Sequence, residues 1–148
     1  MGAGSFGKVF LGTNLKDKSM KVAIKVLDKS KMDQDELDSV NTEIQLMSTV
    51  DHPNICTYYE TYDDKKYIYL VMELCTGGEI MKAIAEDSTK QNEPFISLQF
   101  LKLLRALEHC HSQNIIHRDI KPENIMFGAD NEVRFVDFGF ALVVNDRR

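Results

Sequence analysis

The sequence predicts an α+β fold, with a strand-rich first half and a mainly helical second half. Two patterns in its 148 residues indicate this fold class. Short runs of β-branched and aromatic residues recur up to residue 74, which is typical of strands. Beyond Gly77-Gly78 the apolar residues recur at helical spacing instead. A chain of this length can bury about two-thirds of its unfolded surface, so a core can form without disulfides or metals.

The first half begins with a predicted β-hairpin, which is followed by one helix. Two strands are expected around the polar turn 14–19, over residues 8–12 and 20–27. The period then becomes helical behind Asp33 and Glu36, an Asp-x-x-Glu helix start of the capping-box type. We expect an amphipathic helix that ends before the His-Pro pair at residue 52.

A second hairpin and two further helices are predicted next. Two aromatic and β-branched runs, 55–62 and 67–74, flank a polar turn. A short helix is expected over residues 79–87. The helix after it is expected to face the core with the residues Phe100, Leu103, Leu104, Leu107 and His111. Short strands are expected at the end of the chain, over residues 125–127 and 133–136.

Charge and cysteine content exclude several functional classes. Eighteen Lys and Arg against 23 Asp and Glu give a net charge of −5, so nucleic acid is not an expected partner. No apolar run approaches the about 18 residues needed to span a bilayer, so no membrane association is expected. The three cysteines are scattered and no secretory leader precedes them, which indicates a soluble, reduced, cytoplasmic chain.

A glycine-rich string near the start of the chain is a candidate phosphate-binding loop. Gly2, Gly4 and Gly7 form a GxGxxGxV string with Val9, which alone is weak evidence because glycine-rich turns are common. Glycine lacks a Cβ atom, so backbone N–H groups can approach phosphate oxygens closely. A strand continues beyond Val9 where a dinucleotide-binding fold would begin a helix, and this excludes that fold.

A lysine inside an apolar strand is the second candidate phosphate ligand. Lys25 follows Val22-Ala23-Ile24, and it is either an edge lysine that faces water or a buried ammonium aimed at phosphates. A buried ammonium needs a partner carboxylate. Glu43 is the candidate partner, because it lies on the same side of the predicted helix as Ile44 and Met47.

The strongest motif begins with His-Arg-Asp at residue 117. It places Asp119 five residues before Asn124, and an Asp-Phe-Gly turn follows at Asp137. This spacing provides one acid that can accept a proton and two oxygen ligands for a hard cation such as Mg²⁺.

With these motifs in this order, the chain resembles the eukaryotic protein kinase family. The resemblance implies a bilobal fold, and it implies an enzyme that uses ATP and Mg²⁺. It divides the chain into a small antiparallel-sheet N-lobe with one helix (1–74), a hinge (75–79) and the first part of a helical C-lobe (80–148). The chain then lacks the first strand and most of the C-lobe, and we expect it to be a fragment whose own activity is low.

The resemblance also implies a role for each residue of the motifs. Gly2, Gly4 and Gly7 would cover the ATP phosphates, and Lys25 would hold the α- and β-phosphates while it is paired with Glu43. Asp119 would accept the proton of the substrate hydroxyl, and Asn124 and Asp137 would ligate Mg²⁺. Lys121 would neutralise the transferred phosphoryl group, and its presence implies transfer to Ser or Thr.

The adenine and ribose contacts follow from the resemblance in the same way. Backbone groups of Glu73 and Cys75 would bond adenine, and Glu79 would reach the ribose. The apolar contacts of the base would be Val9, Ala23, Met126 and, as gatekeeper, Met72. For each apolar residue alone, ordinary core packing is the better explanation.

Three short segments make the calcium- and calmodulin-dependent kinases the most similar group. They are His-Pro-Asn-Ile, Glu-Leu-Cys-Thr-Gly-Gly-Glu and Ile-Lys-Pro-Glu-Asn-Ile-Met. Calcium regulation would then depend on regions outside this chain, because the chain holds no EF-hand loop. The expected partners are proteins phosphorylated on Ser or Thr. The alternative is a catalytically silent nucleotide-binding or interaction module. A small-molecule phosphotransferase is a third interpretation, which Lys121-Pro122-Glu123 next to Asp119 disfavours.

Overall fold

The computed structural model describes residues 3–4 and 7–144, which form two compact units. Unit 1 consists of the described residues up to Thr49 together with Thr57–Leu74. Unit 2 consists of Val50–Cys56 and the described residues from Cys75 onward. Residues 50–56, which the sequence placed in the first lobe, therefore belong to unit 2. None of the helices within residues 7–144 is long and apolar enough to cross a membrane.

Unit 1 is an antiparallel five-stranded sheet with one α-helix. Its strands are β1 (Ala3–Gly4), β2 (Gly7–Thr13), β3 (Lys21–Asp28), β4 (Tyr58–Asp63) and β5 (Tyr67–Glu73). They lie in the order β1-β2-β3-β5-β4. The centre of the sheet is apolar, and Leu27 and Leu70 are almost fully buried there. The predicted hairpins β2–β3 and β4–β5 are confirmed.

Helix α1 (Gln34–Thr49) begins where the sequence predicted. The Asp33 carboxylate accepts from the N–H of Glu36 at 2.9 Å, and the Glu36 carboxylate accepts from the N–H of Asp33 at 2.9 Å. These reciprocal bonds are the capping box, and they satisfy two backbone donors that a helix start leaves unpaired. The buried face of α1 carries Glu43, Leu46 and Met47.

Strand β4 begins three residues later than the sequence predicted. Ile55 and Cys56 do not extend it, because they pair with Phe135 in unit 2. The N–H of Cys56 donates to the Phe135 carbonyl at 2.8 Å. The apolar, β-branched character of this segment was correctly recognised, but its pairing partner lies far along the chain and left no local signal.

Unit 2 contains two α-helices and two small antiparallel strand pairs. The helices are α2 (Ile80–Glu86) and α3 (Glu93–Ser112). The strands are β6 (Ile115–Ile116) paired with β9 (Leu142–Val143), and β7 (Ile125–Phe127) paired with β8 (Val133–Phe135). The predicted pair at the end of the chain is confirmed as β7 and β8. Asn92 caps α3 by accepting from the N–H of Phe95 at 2.9 Å.

The buried face of α3 matches the predicted one at Leu103 and differs from it at Phe100, Leu104 and His111. The residues buried along it are Gln99, Leu103, Ala106 and Cys110. Phe100 and Leu104 are each 59% exposed, and His111 is also exposed. Apolar residues occur around most of this helix, so the helical period alone could not decide which stripe faces the core.

Candidate active site

One face of the unit 1 sheet gathers four of the predicted nucleotide contacts. Val9 on β2 is directly opposite Lys25 on β3, and Ala23 on β3 is directly opposite Met72 on β5. Directly opposed residues of antiparallel strands project to the same face, and so do residues two apart on one strand. The four side chains therefore share a face, as the sequence motifs require.

Lys25 and Glu43 form an ion pair on this face. Lys25 Nζ lies 3.0 Å from Glu43 Oε1, and the side chains are 26% and 5% exposed respectively. The carboxylate is buried, so it depends on this cation for compensation. An ammonium carries three donors, so it can bind more than one anionic acceptor.

The glycine string is described only in part. Gly2 lies outside the described residues, while Gly4 lies in β1 and Gly7 begins β2. A Cβ atom on Gly7 would lie 2.5 Å from the Val26 carbonyl oxygen of β3, which is closer than any real contact. At this position glycine is thus required by the approach of two strands, independently of any ligand.

Unit 2 brings Asp119, Lys121 and Asn124 together. Lys121 Nζ lies 2.7 Å from Asp119 Oδ2. Asn124 Nδ2 donates to the same carboxylate oxygen at 2.8 Å and to the Asp119 carbonyl at 2.9 Å. The Asp119 side chain is thereby fixed by a cation and an amide, and both groups favour its ionised form.

The charges of this cluster stabilise one another. The hydrogen bond from Lys121 holds the pKa of Asp119 below its usual value, and the amide of Asn124 acts in the same direction. The hydrogen bond to Asp119 raises the pKa of Lys121. Near neutral pH Asp119 is therefore an ionised acceptor, and Lys121 is a cation beside it.

Two side chains with oxygen atoms suited to a hard cation are Asn124, which belongs to this cluster, and Asp137. Both bonds of the Asn124 side chain use Nδ2, so its Oδ1 is the atom that can coordinate a metal. Asp137 Oδ1 accepts from the N–H of Gly139 at 2.9 Å, which shapes the Asp-Phe-Gly turn. The N–H of Val136 donates to the Asn124 carbonyl at 3.0 Å, and this bond ties the two candidate ligand segments together. Amide and carboxylate oxygens fit Mg²⁺.

His117 and Phe138 pack against each other, and His117 positions the backbone of Asp119, a role that was not assigned from the sequence. The two rings are each 1% exposed and make an edge contact with centroids 4.7 Å apart. His117 Nδ1 accepts from the N–H of Asp119 at 3.2 Å. Burial lowers the pKa of His117, which keeps the ring neutral and this acceptor available. The sequence did contain a signal for this role, because His117 shares a motif with Asp119 and Phe138 shares one with Asp137.

The remaining predicted contacts lie around the start of α2 and the end of β5. Glu79 immediately precedes α2 and is bridged to Met126 of β7. The N–H of Gly77 donates to the Phe127 carbonyl at 2.8 Å, which fixes the segment after Cys75. The N–H of Glu73 donates to the Thr57 carbonyl at 2.8 Å, so a contact from Glu73 to adenine would use its carbonyl group.

Comparison with known proteins identifies the family of this chain. The family model described as "Protein kinase domain" matches residues 1–148. Calcium-dependent protein kinase 5 of Plasmodium berghei (strain Anka) is 41% identical over 145 residues, which cover 95% of this chain and 25% of that protein.

Two further relatives are also named as protein kinases. The probable serine/threonine-protein kinase MARK-A of Dictyostelium discoideum is 36% identical over 143 residues, covering 97% of this chain and 13% of that protein. The calcium/calmodulin-dependent protein kinase type 1 of Macrobrachium nipponense is 36% identical over 144 residues, covering 95% and 41%. The chain thus spans less than half of the length of each of these relatives, and it belongs to the protein kinase domain family.

Proposed function

We propose that this chain is part of the catalytic domain of a serine/threonine protein kinase, which transfers the γ-phosphate of ATP to protein hydroxyl groups. The observation that carries the proposal is the arrangement around Asp119, where Lys121 and Asn124 bind one carboxylate oxygen at 2.7 and 2.8 Å. A carboxylate fixed in this way is suited to orient an alcohol, and the adjacent cation is suited to a phosphoryl group that is gaining charge.

The role of Asp119 follows from its ionised state. As an acceptor it would bind the O–H of a Ser or Thr side chain and receive its proton as the oxygen is phosphorylated. Lys121 would lower the charge repulsion between Asp119 and the incoming phosphate oxygens. A lysine at this position supports an aliphatic hydroxyl as the acceptor, and the serine/threonine kinase named among the relatives supports the same substrate class.

Lys25 and Glu43 are proposed to act on the nucleotide phosphates. The ammonium would bind oxygens of the α- and β-phosphates, and the buried carboxylate would hold that ammonium at a fixed position. Asn124 Oδ1 and the Asp137 carboxylate would hold Mg²⁺, which when bound neutralises phosphate charge. Calcium-linked regulation is proposed only by analogy with the names of two relatives.

The proposal is tested by replacing the base and the phosphate ligand separately in a protein that contains this chain. Asp119→Asn and Lys25→Met should each reduce phosphate incorporation into a Ser/Thr peptide by at least a hundredfold, because positioning and charge stabilisation supply most of this catalysis. Lys29→Met is the matched control, since Lys29 is a lysine paired with an exposed aspartate, Asp63.

Binding of nucleotide should be measured on the same proteins. If ATP binds in a Mg²⁺-dependent manner but no phosphate is transferred under any activating condition, the result would favour a silent nucleotide-binding module instead. Undiminished transfer by Asp119→Asn would contradict the proposed role of the carboxylate.

A further inference from the structure

Two of the three cysteines of this chain lie side by side in unit 2. The Sγ atoms of Cys56 and Cys75 are within 4.8 Å of each other, although 19 positions separate them in the sequence. Cys56 is 3% exposed and Cys75 is half-buried. Both carry thiols, and neither thiol group has a role in the proposed phosphoryl transfer.

Backbone bonds to one hairpin hold both cysteine segments. The N–H of Cys56 donates to the Phe135 carbonyl of β8 at 2.8 Å. Two residues after Cys75, the N–H of Gly77 donates to the Phe127 carbonyl of β7 at 2.8 Å. Because β7 and β8 pair with each other, the folded hairpin holds the two cysteine backbone segments in place relative to each other.

The separation is small enough for a covalent bond after side-chain rotation. A disulfide requires the sulfurs to be about 2 Å apart. Rotation of one χ1 angle between staggered positions moves a sulfur by about 3 Å, so a change of rotamer at one or both cysteines can close the remaining gap.

We propose that Cys56 and Cys75 form an oxidative modification site, which a peroxide converts into an intramolecular disulfide. The Cys75 thiolate, on the more exposed residue, attacks one peroxide oxygen; an S–O bond forms, the O–O bond breaks, and hydroxide leaves. The Cys56 thiolate then attacks the resulting sulfenic sulfur; the S–S bond forms and the S–O bond breaks with loss of a second hydroxide. The two thiol protons and two hydroxides give two waters, and the pair donates two electrons to the peroxide.

Tryptic digestion distinguishes all possible pairings, because each cysteine lies in a different peptide. Cleavage after Lys and Arg gives peptides 32–65 with Cys56, 67–82 with Cys75 and 106–118 with Cys110. The native protein is treated with a small excess of hydrogen peroxide, free thiols are alkylated, and the monomer fraction is digested and analysed by mass spectrometry. We expect peptides 32–65 and 67–82 to be linked to each other, and peptide 106–118 to be alkylated.

Cys110 is the internal control. It is 1% exposed within α3, and burial raises the pKa of its thiol, so peroxide should react with it slowly. Cys110→Ala should leave the 56–75 link unchanged, whereas Cys75→Ser should abolish it. The same treatment in denaturing urea should give mixed pairings, which shows that folding directs the bond.

A link to peptide 106–118 in the native monomer would overturn the proposal, and so would over-oxidation of Cys75 without any link. Because the mapping is performed without nucleotide, its outcome does not depend on kinase activity. Failure of the disulfide and failure of the proposed function are therefore distinguishable.

A consequence for the nucleotide rests on the proposed function. If backbone groups of Cys75 bond adenine, a covalent link at its side chain restricts the position of those groups. We expect the oxidised protein to bind ATP at least tenfold more weakly, with recovery after dithiothreitol. If mass spectrometry shows complete disulfide formation and the oxidised protein still binds ATP as tightly as the reduced protein, this consequence is refuted.

Discussion

The ion pair between Lys25 and Glu43 offers a way to separate stability from catalysis. At 3.0 Å and an effective dielectric constant near 20, two unit charges attract each other by about 5 kcal/mol. The cost of removing both charges from water offsets part of that attraction. Lys25→Met leaves the buried Glu43 carboxylate without its cation, so we expect the free energy of unfolding to fall by about 3 kcal/mol.

The double variant Lys25→Met with Glu43→Leu should behave differently. Replacement of both charges by apolar groups of similar size removes the uncompensated carboxylate, and the free energy of unfolding should return to within about 1 kcal/mol of the parent value. Phosphoryl transfer should stay absent in the double variant, because the ammonium proposed to bind the phosphates is still missing.

The assay combines urea unfolding with peptide phosphorylation on the same protein preparations. Lys29→Met serves as the control, since its partner Asp63 is exposed and the loss of such a pair costs less than about 1 kcal/mol. If the double variant were no more stable than Lys25→Met alone, the reasoning about the buried carboxylate would be wrong. If the double variant regained activity, Lys25 would not be the phosphate ligand.

Three further expectations concern unit 2. Gly77→Ala should lower the free energy of unfolding by about 3 kcal/mol, because the new Cβ would lie 2.5 Å from Phe127 Cβ. Gly78→Ala should lower it by about 1 kcal/mol, because the new Cβ meets no other atom and only the φ of 81° is unfavourable for alanine. Comparable losses in urea unfolding would contradict this ranking. Burial lowers the pKa of His52 in the folded chain. As the pH falls through about 6.5, the unfolded chain therefore binds a proton before the folded chain does. The free energy of unfolding declines over this range, until the pH is below the folded-state pKa. His52→Gln should therefore reduce the decline in urea midpoint between pH 7.5 and 5.5; an unchanged slope would refute the assignment, and the exposed His111→Gln is the control. Asn92→Ala should remove the cap of α3 and lower the free energy of unfolding in urea by about 1 kcal/mol, whereas Asn92→Asp should keep the cap. An alanine variant as stable as the parent protein would contradict the capping role.

Local patterns were sufficient to predict much of this fold. The start of α1 was predictable because its capping box involves residues three positions apart, and the β2–β3 hairpin because its turn is polar and short. The motif residues around Asp119 and Lys25 were predictable for a different reason, since their spacing is that of a known family. The ion pair with Glu43 then required only that one side of α1 face β3.

Features that depend on distant partners were not predictable in the same way. The exposed position of Phe100 and Leu104 could not be inferred, because α3 is apolar on several sides and only the packing of unit 2 selects one. The positioning role of His117 required knowledge that Phe138, 21 residues later, contacts its ring. Such contacts depend on tertiary packing, which the local sequence does not encode.

The pairing of residues 50–56 with β8 has a consequence for the order in which the chain can fold during synthesis. Asn54 Nδ2 donates to the Val133 carbonyl across 79 residues of sequence. At 5 to 20 residues per second, Asn54 waits roughly 4 to 16 s for this partner to be made. Unit 1 has all of its strands once Glu73 is synthesised, whereas the apolar pair Ile55 and Cys56 stays without β8 throughout that interval. Nascent chains of this protein therefore expose an apolar strand segment before β8 has been synthesised, at a time when all strands of unit 1 have been made.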